Sequence, residues 1–320
     1  MNTMDIHQLP APADIREAAE RIAGVARRTP VWSSPALDEA AGAELHFKCE
    51  PMQLTGAFKV RGALNAVLSM SDAQAKKGVA THSSGNHGAA LAFAARERGI
   101  PCTVVMPDNS VKSKVANVRR YGAEVVFCEP SQASREDTVA DVVERTGAEV
   151  IPPYDDARII AGQGTCALEL LEQVPELDVL VVPVGGGGLI TGTAIAARSL
   201  APGIGIRGAE PAGSDDAARS LSAGRRITDI TPDTVCDGLR AIISELTFRG
   251  IRDNVDGIIT VEDDATIDAM RLAWLELKLT IEPSSAVVLA AVLAEPDAFR
   301  DRSVGVILSG GNVDLDHLPW

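Results

Sequence analysis

The chain has 320 residues and a formal charge of −14 at pH 7; 46% of its residues are apolar and only 3% aromatic. This excess of acid works against a nucleic-acid partner, whose affinity rests on Lys and Arg neutralising phosphates, and no run of about 18 apolar residues offers a membrane span. The length suits one large or two medium domains, and an apolar set drawn mainly from Ala, Val, Ile and Leu suits buried parallel strands covered by helices.

In chain order, the N-terminus MNTMDIHQLPAPAD has an early acid and no apolar stretch of a secretory signal, so a cytoplasmic protein is expected. Five cysteines, Cys49, Cys102, Cys128, Cys166 and Cys236, are far apart and form no CxxC, which reads as reduced core thiols. The first stretch that carries chemistry is LTGAFKVRGA, residues 54–63, where small and aromatic residues flank Lys59. Partial burial favours the neutral amine of a lysine, and a neutral amine can attack an aldehyde to form an imine, which an arginine cannot do.

From residue 79 onward, strand-like and helix-like runs alternate: VATHSS then GNHGAALAFAARERG, CTVVMP then SVKSKVANVRRYG, EVVFCEP then SREDTVADVVERTG. Such alternation predicts βα units and a parallel sheet. With EVIPPYDD after them, these units predict a small inserted α/β domain over 71–155. A second series, VLVVPV, IGIRGAEP, GIITVED and SVGVILSGGN, predicts a larger sheet in a domain made of 1–70 and 156–320. A cleft lined by loops at the carboxyl ends of these strands is the expected ligand site.

Three loops at strand ends have suitable chemistry. SSGNHG, 83–88, combines Ser and Asn side chains with exposed N–H groups that suit a carboxylate or a phenolic oxygen; helix capping by Ser83 or Ser84 is the structural alternative. Gly185, Gly186, Gly187 and Gly188 follow a buried-type strand and precede a helix, so their N–H groups can close around an anion such as phosphate. The loop is neither GxGxxG nor a Walker sequence, and a tight turn is its alternative reading. LSGGNVD, 308–314, repeats the design after the last strand. A phosphate cradle together with an imine-forming lysine points to pyridoxal 5'-phosphate.

Taken in order, LTGAFKVRGALNAV, ATHSSGNHGAAL, IAGQGTCALELLEQV, VVPVGGGGLITG, AEPAGSDDA, IEPSSAV and LSGGNVDL span nearly the whole chain. In them the sequence resembles the fold-type II pyridoxal-phosphate enzymes, in particular the serine racemases, serine/threonine dehydratases and 3-hydroxyaspartate ammonia-lyases. The resemblance implies a tryptophan synthase β-like α/β fold of two domains with parallel sheets flanked by helices, a small domain closing over the active site, and a homodimer. It implies that Lys59 carries the cofactor through an imine, Phe58 packs beside the ring, Asn86 bonds its phenolic oxygen and Gly185 to Gly188 hold the phosphate. Glu282 joins the cofactor site, and Ser309 faces the pyridine nitrogen. A serine there, unlike an aspartate, leaves the pyridine unprotonated and the ring a weaker electron sink, which suits β-elimination.

For the substrate, donors at a helix N-terminus place the α-carboxylate on Ser83, Asn86 and His87, and the resemblance makes Lys59 the general base and Ser84 a substrate-binding residue on the opposite face of the α-carbon. Arg135 matches an arginine that reaches a second carboxylate. Arg240 precedes Ala241, which stands where animal serine racemases carry a substrate-facing serine. The reading is therefore elimination of water from a β-hydroxy amino acid, 3-hydroxyaspartate ahead of serine and threonine, to a 2-oxo acid and ammonia. The alternative is a serine racemase with side dehydratase activity. Glu210 and Asp216, with the backbone oxygen of Ser214, match a Mg²⁺ or Ca²⁺ site of structural or activating role. The sequence ends at Trp320 soon after LSGGNVD, so no C-terminal effector domain is expected. Lys59, Ser84, Asn86 and Ser309 together argue against a non-catalytic amino-acid sensor.

Overall fold

The computed structural model of the chain describes residues 5–83 and 85–320. Ten strands follow one another as β1 (Val31–Trp32), β2 (Glu44–Cys49), β3 (Val79–His82), β4 (Cys102–Pro107), β5 (Glu124–Cys128), β6 (Glu149–Val150), β7 (Val179–Pro183), β8 (Gly205–Pro211), β9 (Gly257–Val261) and β10 (Ser303–Leu308). They build a six-stranded sheet of order β1-β2-β10-β7-β8-β9 and a four-stranded sheet of order β5-β4-β3-β6. The β1–β2 pair is antiparallel, and every other neighbouring pair is parallel. Strands β4 and β7 are buried at every position, the continuous apolar run of a strand covered on both faces.

The four strands of the predicted second series lie side by side in the six-stranded sheet, and the strands of 79–150 form the other. β1 and β2 complete the larger sheet without having been expected: β1 is two residues long, and β2 buries Lys48 among its apolar residues.

A glycine contact sets how deeply the lysine segment lies. The helix Lys59–Ser69 crosses the helix Ala157–Gln173, and a Cβ at Gly162 would stand 2.6 Å from Gly62 Cα, one at Gly62 2.8 Å from Gln163 Cδ. The GQG of IAGQGT thus allows two backbones to touch. All five cysteines are buried and unpaired. Among the described residues no helix is long and apolar enough to cross a membrane.

Candidate active site

Lys59 is the first residue of its helix, and the turn before it is stitched to the loop after β10. Ala57 bridges Gly310, the Phe58 N–H donates to Ser309 O at 3.0 Å, and the Gly311 N–H donates to Gly56 O at 2.9 Å. Asn312 Nδ2 donates to Thr55 O at 2.8 Å, which holds Thr55 at a φ of 64°, a conformation a β-branched residue adopts only under constraint. Lys59 Nζ donates to Pro153 O at 3.0 Å and lies 5.1 Å from the centre of the Phe58 ring. Burial pushes the amine down to about 8, against the charge of Glu282. A substantial neutral fraction at physiological pH is what a nucleophilic or basic lysine needs.

The four glycines join β7 to the helix Gly188–Leu200 and are buried throughout. Gly187 has a φ of 84° and caps that helix, a left-handed conformation that glycine adopts without steric cost. The loop also has no room for side chains: a Cβ at Gly185 would stand 2.9 Å from Leu239 Cα, one at Gly186 2.5 Å from Tyr154 Cγ, and one at Gly187 2.8 Å from Thr247 Cβ. The walls explain the glycines, and the helix N-terminus supplies free N–H groups suited to an anion.

Asn86 begins the helix Asn86–Arg98 after β3. Its Nδ2 donates to Glu282 Oε1 at 2.8 Å, and its Oδ1 accepts from Asn312 Nδ2 at 2.9 Å. One amide hydrogen remains for a further acceptor. Glu282 is buried; burial, then the charge of Asp237, pushes its carboxyl up to about 8, so it is mostly neutral at pH 7. Its Oε2 accepts the Asn312 N–H at 3.2 Å. Ser309 is buried, and among the described residues its hydroxyl reaches only Ser284 O, at 3.4 Å, leaving it free to turn to a better acceptor.

Ser83 is half-buried, its Oγ accepting the Gly85 N–H at 3.4 Å. Ser84, expected on the opposite face of the substrate, lies outside the described residues. His87 Nε2 pairs with Ile151 O at 2.9 Å; a carbonyl only accepts, so Nε2 carries the proton and the buried Nδ1, unpartnered among the described residues, is bare. Burial and the charge of Lys59 push this imidazole down to about 3. It is neutral, and what His87 offers an anion is its backbone N–H in the first helical turn.

The two arginines differ. Arg135, in the helix Gln132–Thr146, has a buried Nε with no partner among the described residues, and its charge acts on His82, at the end of β3 just before the 83–88 loop. Arg240 is exposed and turns its Nε, at 3.0 Å, and its terminal nitrogen onto Thr234 O. Among the described residues no hydrogen bond brings Arg240 to the lysine site.

Glu210 ends toward the helix Asp216–Ala223, its two oxygens accepting the N–H groups of Ala217 and Ala218 at 3.1 and 2.8 Å. Asp216 Oδ2 accepts the Ile243 N–H at 2.8 Å, while its Oδ1 is buried without a partner among the described residues. Ser214 Oγ donates to Leu239 O. Burial pushes Glu210 up to about 9 and Asp216 up to about 6. Among the described residues no group of three or more His, Cys, Asp and Glu is gathered as a metal centre; two carboxylates and a backbone oxygen are what the region offers.

Sequence reasoning missed two members of the site. Asn312 lies in LSGGNVD and supports Asn86; Tyr154 lies in EVIPPYDD and packs on Gly186. Their segments were singled out, but only the fold shows which other residues they meet.

A family model described as pyridoxal-phosphate dependent enzyme matches residues 22–310. The beta-hydroxyaspartate dehydratase of Paracoccus denitrificans (strain Pd 1222) is 53% identical to this chain over 312 residues, covering 98% of the chain and 99% of that protein. A serine racemase of Arabidopsis thaliana is 50% identical over 311 residues, covering 95% and 93%. The structure of maize serine racemase superposes with a TM-score of 0.94 at 49% identity, covering 96% of this chain and 94% of that one.

Proposed function

This chain belongs to the pyridoxal-phosphate dependent enzymes, with the fold-type II α/β architecture found in maize serine racemase, and we propose that it is an ammonia-lyase acting on a small β-hydroxy-α-amino acid, 3-hydroxyaspartate ahead of serine and threonine. The net reaction removes water across Cα and Cβ and returns it on hydrolysis, giving a 2-oxo acid and ammonia. The observation that carries the choice of a dicarboxylic substrate is the buried Nε of Arg135, which has no partner among the described residues and is the cation we assign to a second carboxylate. The Paracoccus relative named for the same substrate supports it.

The residues fit the cofactor. The glycine loop is a cradle that any Cβ would fill, Lys59 is an amine with a lowered pKa, and Ser309 has a weakly committed hydroxyl. When bound, pyridoxal 5'-phosphate supplies an aldehyde carbon for the amino group and a ring that withdraws the electrons left when the Cα–H bond breaks. Lys59 Nζ would hold the cofactor, and as a free amine it would take the Cα proton of the substrate. Phe58 packs beside the ring, the second amide hydrogen of Asn86 orients the phenolic oxygen, and Ser309 donates at the pyridine nitrogen. The N–H groups of the 85–88 turn and Ser83 hold the α-carboxylate.

Release of 2-oxo acid from L-serine, L-threonine and the threo and erythro isomers of 3-hydroxyaspartate tests the proposal. A charge-assisted pair with Arg135 predicts kcat/KM for one 3-hydroxyaspartate isomer at least about tenfold above serine, and loss of that preference in Arg135→Ala. Serine racemisation is the second reading, favoured by the 50% identity to the Arabidopsis thaliana racemase and by the Ser-Ser-Gly-Asn run that includes Ser84. D-Serine as the dominant product would establish it instead.

The proposal includes Mg²⁺ or Ca²⁺ on Glu210, Asp216 and the Ser214 backbone oxygen. The orphaned Asp216 Oδ1 is the feature a hard cation would satisfy. At 100 times its dissociation constant such an ion stabilises the fold by about 2.7 kcal/mol. Mg²⁺ or Ca²⁺ is therefore expected to raise the Tm of the enzyme but not of Asp216→Asn; no shift in the parent protein sinks the site. We also propose a cytoplasmic homodimer in which residues 71–155 close over the remainder. Equal positions of that segment in free and inhibitor-bound crystals would count against closure.

A further inference from the structure

The segment that leaves β6 meets three parts of the site within four residues. Ile151 O accepts from His87 Nε2 at 2.9 Å, Pro153 O accepts from Lys59 Nζ at 3.0 Å, and Tyr154 Oη donates to Ile242 O at 2.9 Å. Two consecutive prolines, Pro152 and Pro153, fix φ along this strip and limit its freedom. The Tyr154 ring lies where a side chain at Gly186 would be, 2.5 Å from that hypothetical Cβ at Cγ, and Tyr154 Cβ would stand 3.0 Å from a Cβ at Gly188. The loop is thus pressed against Tyr154 at alternate positions, by the ring at Gly186 and by Cβ and the backbone at Gly188.

Its other wall is the segment bound by the tyrosine hydroxyl. Leu239 Cα and Gly238 O stand 2.9 and 3.2 Å from a Cβ at Gly185, and the Gly238 N–H donates to Ser284 Oγ at 2.9 Å, beside Glu282. Residues 238–242 therefore cover one end of the glycine loop, and Tyr154 covers the middle. The one hydrogen bond from Tyr154 Oη joins the two walls.

We infer that Tyr154 is a positioning residue with two separable roles: its ring shapes the glycine loop for the cofactor phosphate, and its hydroxyl holds residues 238–242 in place beside Glu282, which bonds Asn86 of the turn proposed for the substrate carboxylate. Ring and hydroxyl act on different equilibria. Loss of the ring leaves the glycine backbone without its support, so the loop must be ordered during binding and affinity falls. Loss of the hydroxyl alone leaves that support intact and frees the 242 carbonyl, a single neutral hydrogen bond's effect.

The inference rests on the reading of Gly185 to Gly188 as the phosphate loop, and the experiment separates the two. Apoenzyme is titrated with pyridoxal 5'-phosphate, followed by absorbance, for the parent, Tyr154→Phe and Tyr154→Ala, and steady-state kinetics are then measured on 3-hydroxyaspartate and serine at saturating cofactor. Tyr154→Phe is expected to bind the cofactor within about twofold of the parent and to raise KM about fivefold with kcat changed less than about twofold. Tyr154→Ala is expected to bind it at least about tenfold more weakly, and Tyr154→Leu serves the same comparison if the alanine variant does not fold. Parent-like cofactor affinity in the ring-less variant overturns the ring's role, and an unchanged KM in Tyr154→Phe overturns the hydroxyl's. If Gly186→Ala leaves cofactor affinity at the parent level, the phosphate-loop reading itself fails.

Discussion

Lys59→Ala is expected to release 2-oxo acid at least about 10³-fold more slowly than the parent enzyme, because one substitution removes both the covalent anchor of the cofactor and the base at the α-carbon. The variant should still fold. Lys59 is only half-buried, its single hydrogen bond goes to the Pro153 carbonyl, and the turn before it is held by backbone bonds to the 309–311 stretch. The lysine-dependent absorbance band of bound cofactor should disappear while the circular dichroism spectrum and Tm stay near those of the parent. A pH dependence accompanies this. Capture of the aldehyde requires the neutral amine, and burial brings Lys59 down to about 8, so the capture rate of apoenzyme should rise with pH through a midpoint near 8 instead of near the ordinary lysine value. Oxo acid release within tenfold of the parent in Lys59→Ala, or a capture midpoint above 10, would remove Lys59 from the centre of the reaction.

How much of this was legible in the sequence depends on how local each feature is. β4 and β7 could be read because a parallel strand covered on both faces must be apolar throughout, and the glycine loop because four consecutive glycines after such a strand serve few other purposes. The pair Gly62 and Gly162 was quoted within longer motifs, but nothing local says that the two meet. Tyr154 is similar: PPY looks like a turn until its ring is found on Gly186. Arg240 illustrates the same limit from the other side. A cation beside the expected pocket looked like a carboxylate clamp, and the fold gives its guanidinium to the Thr234 carbonyl, a partner six residues away that no charge pattern announces. Asp216 was readable as a carboxylate near Glu210, whereas its Oδ1, unpartnered among the described residues, is a property of packing alone.

The least legible feature of the lysine segment lies two residues beyond Lys59, and its removal should have the largest effect on stability. Arg61 is fully buried. Its Nε and one terminal nitrogen each donate to Glu50 at 2.8 Å, and its terminal nitrogens donate to Glu169 at 2.7 and 2.8 Å. Glu169 is shared with Lys48, also fully buried, at 2.7 Å, and Thr29 Oγ1 donates to Glu50 at 2.6 Å. Burial works against the charge on Glu169, yet hydrogen bonds and charge from Arg61, then the charge of Lys48, hold its carboxyl below the usual range. Two cations and two anions thus balance in a network that is fully buried at Arg61, Lys48 and Glu50 and reaches solvent only through Glu169. Arg61→Met removes one cation and leaves Glu50 buried with Thr29 as its remaining side-chain donor, and breaking such a pair from one side costs about 3–5 kcal/mol. The double variant Arg61→Met/Glu50→Leu removes an equal charge of each sign, so it should lose less stability than the sum of the two single substitutions, as neighbours in one network do. Denaturant unfolding of the four proteins measures this directly. A loss below about 1 kcal/mol in Arg61→Met, or strict additivity in the double variant, would mean that the network does not hold the lysine helix in place, and that the glycine contact between Gly62 and Gly162 is sufficient to do so.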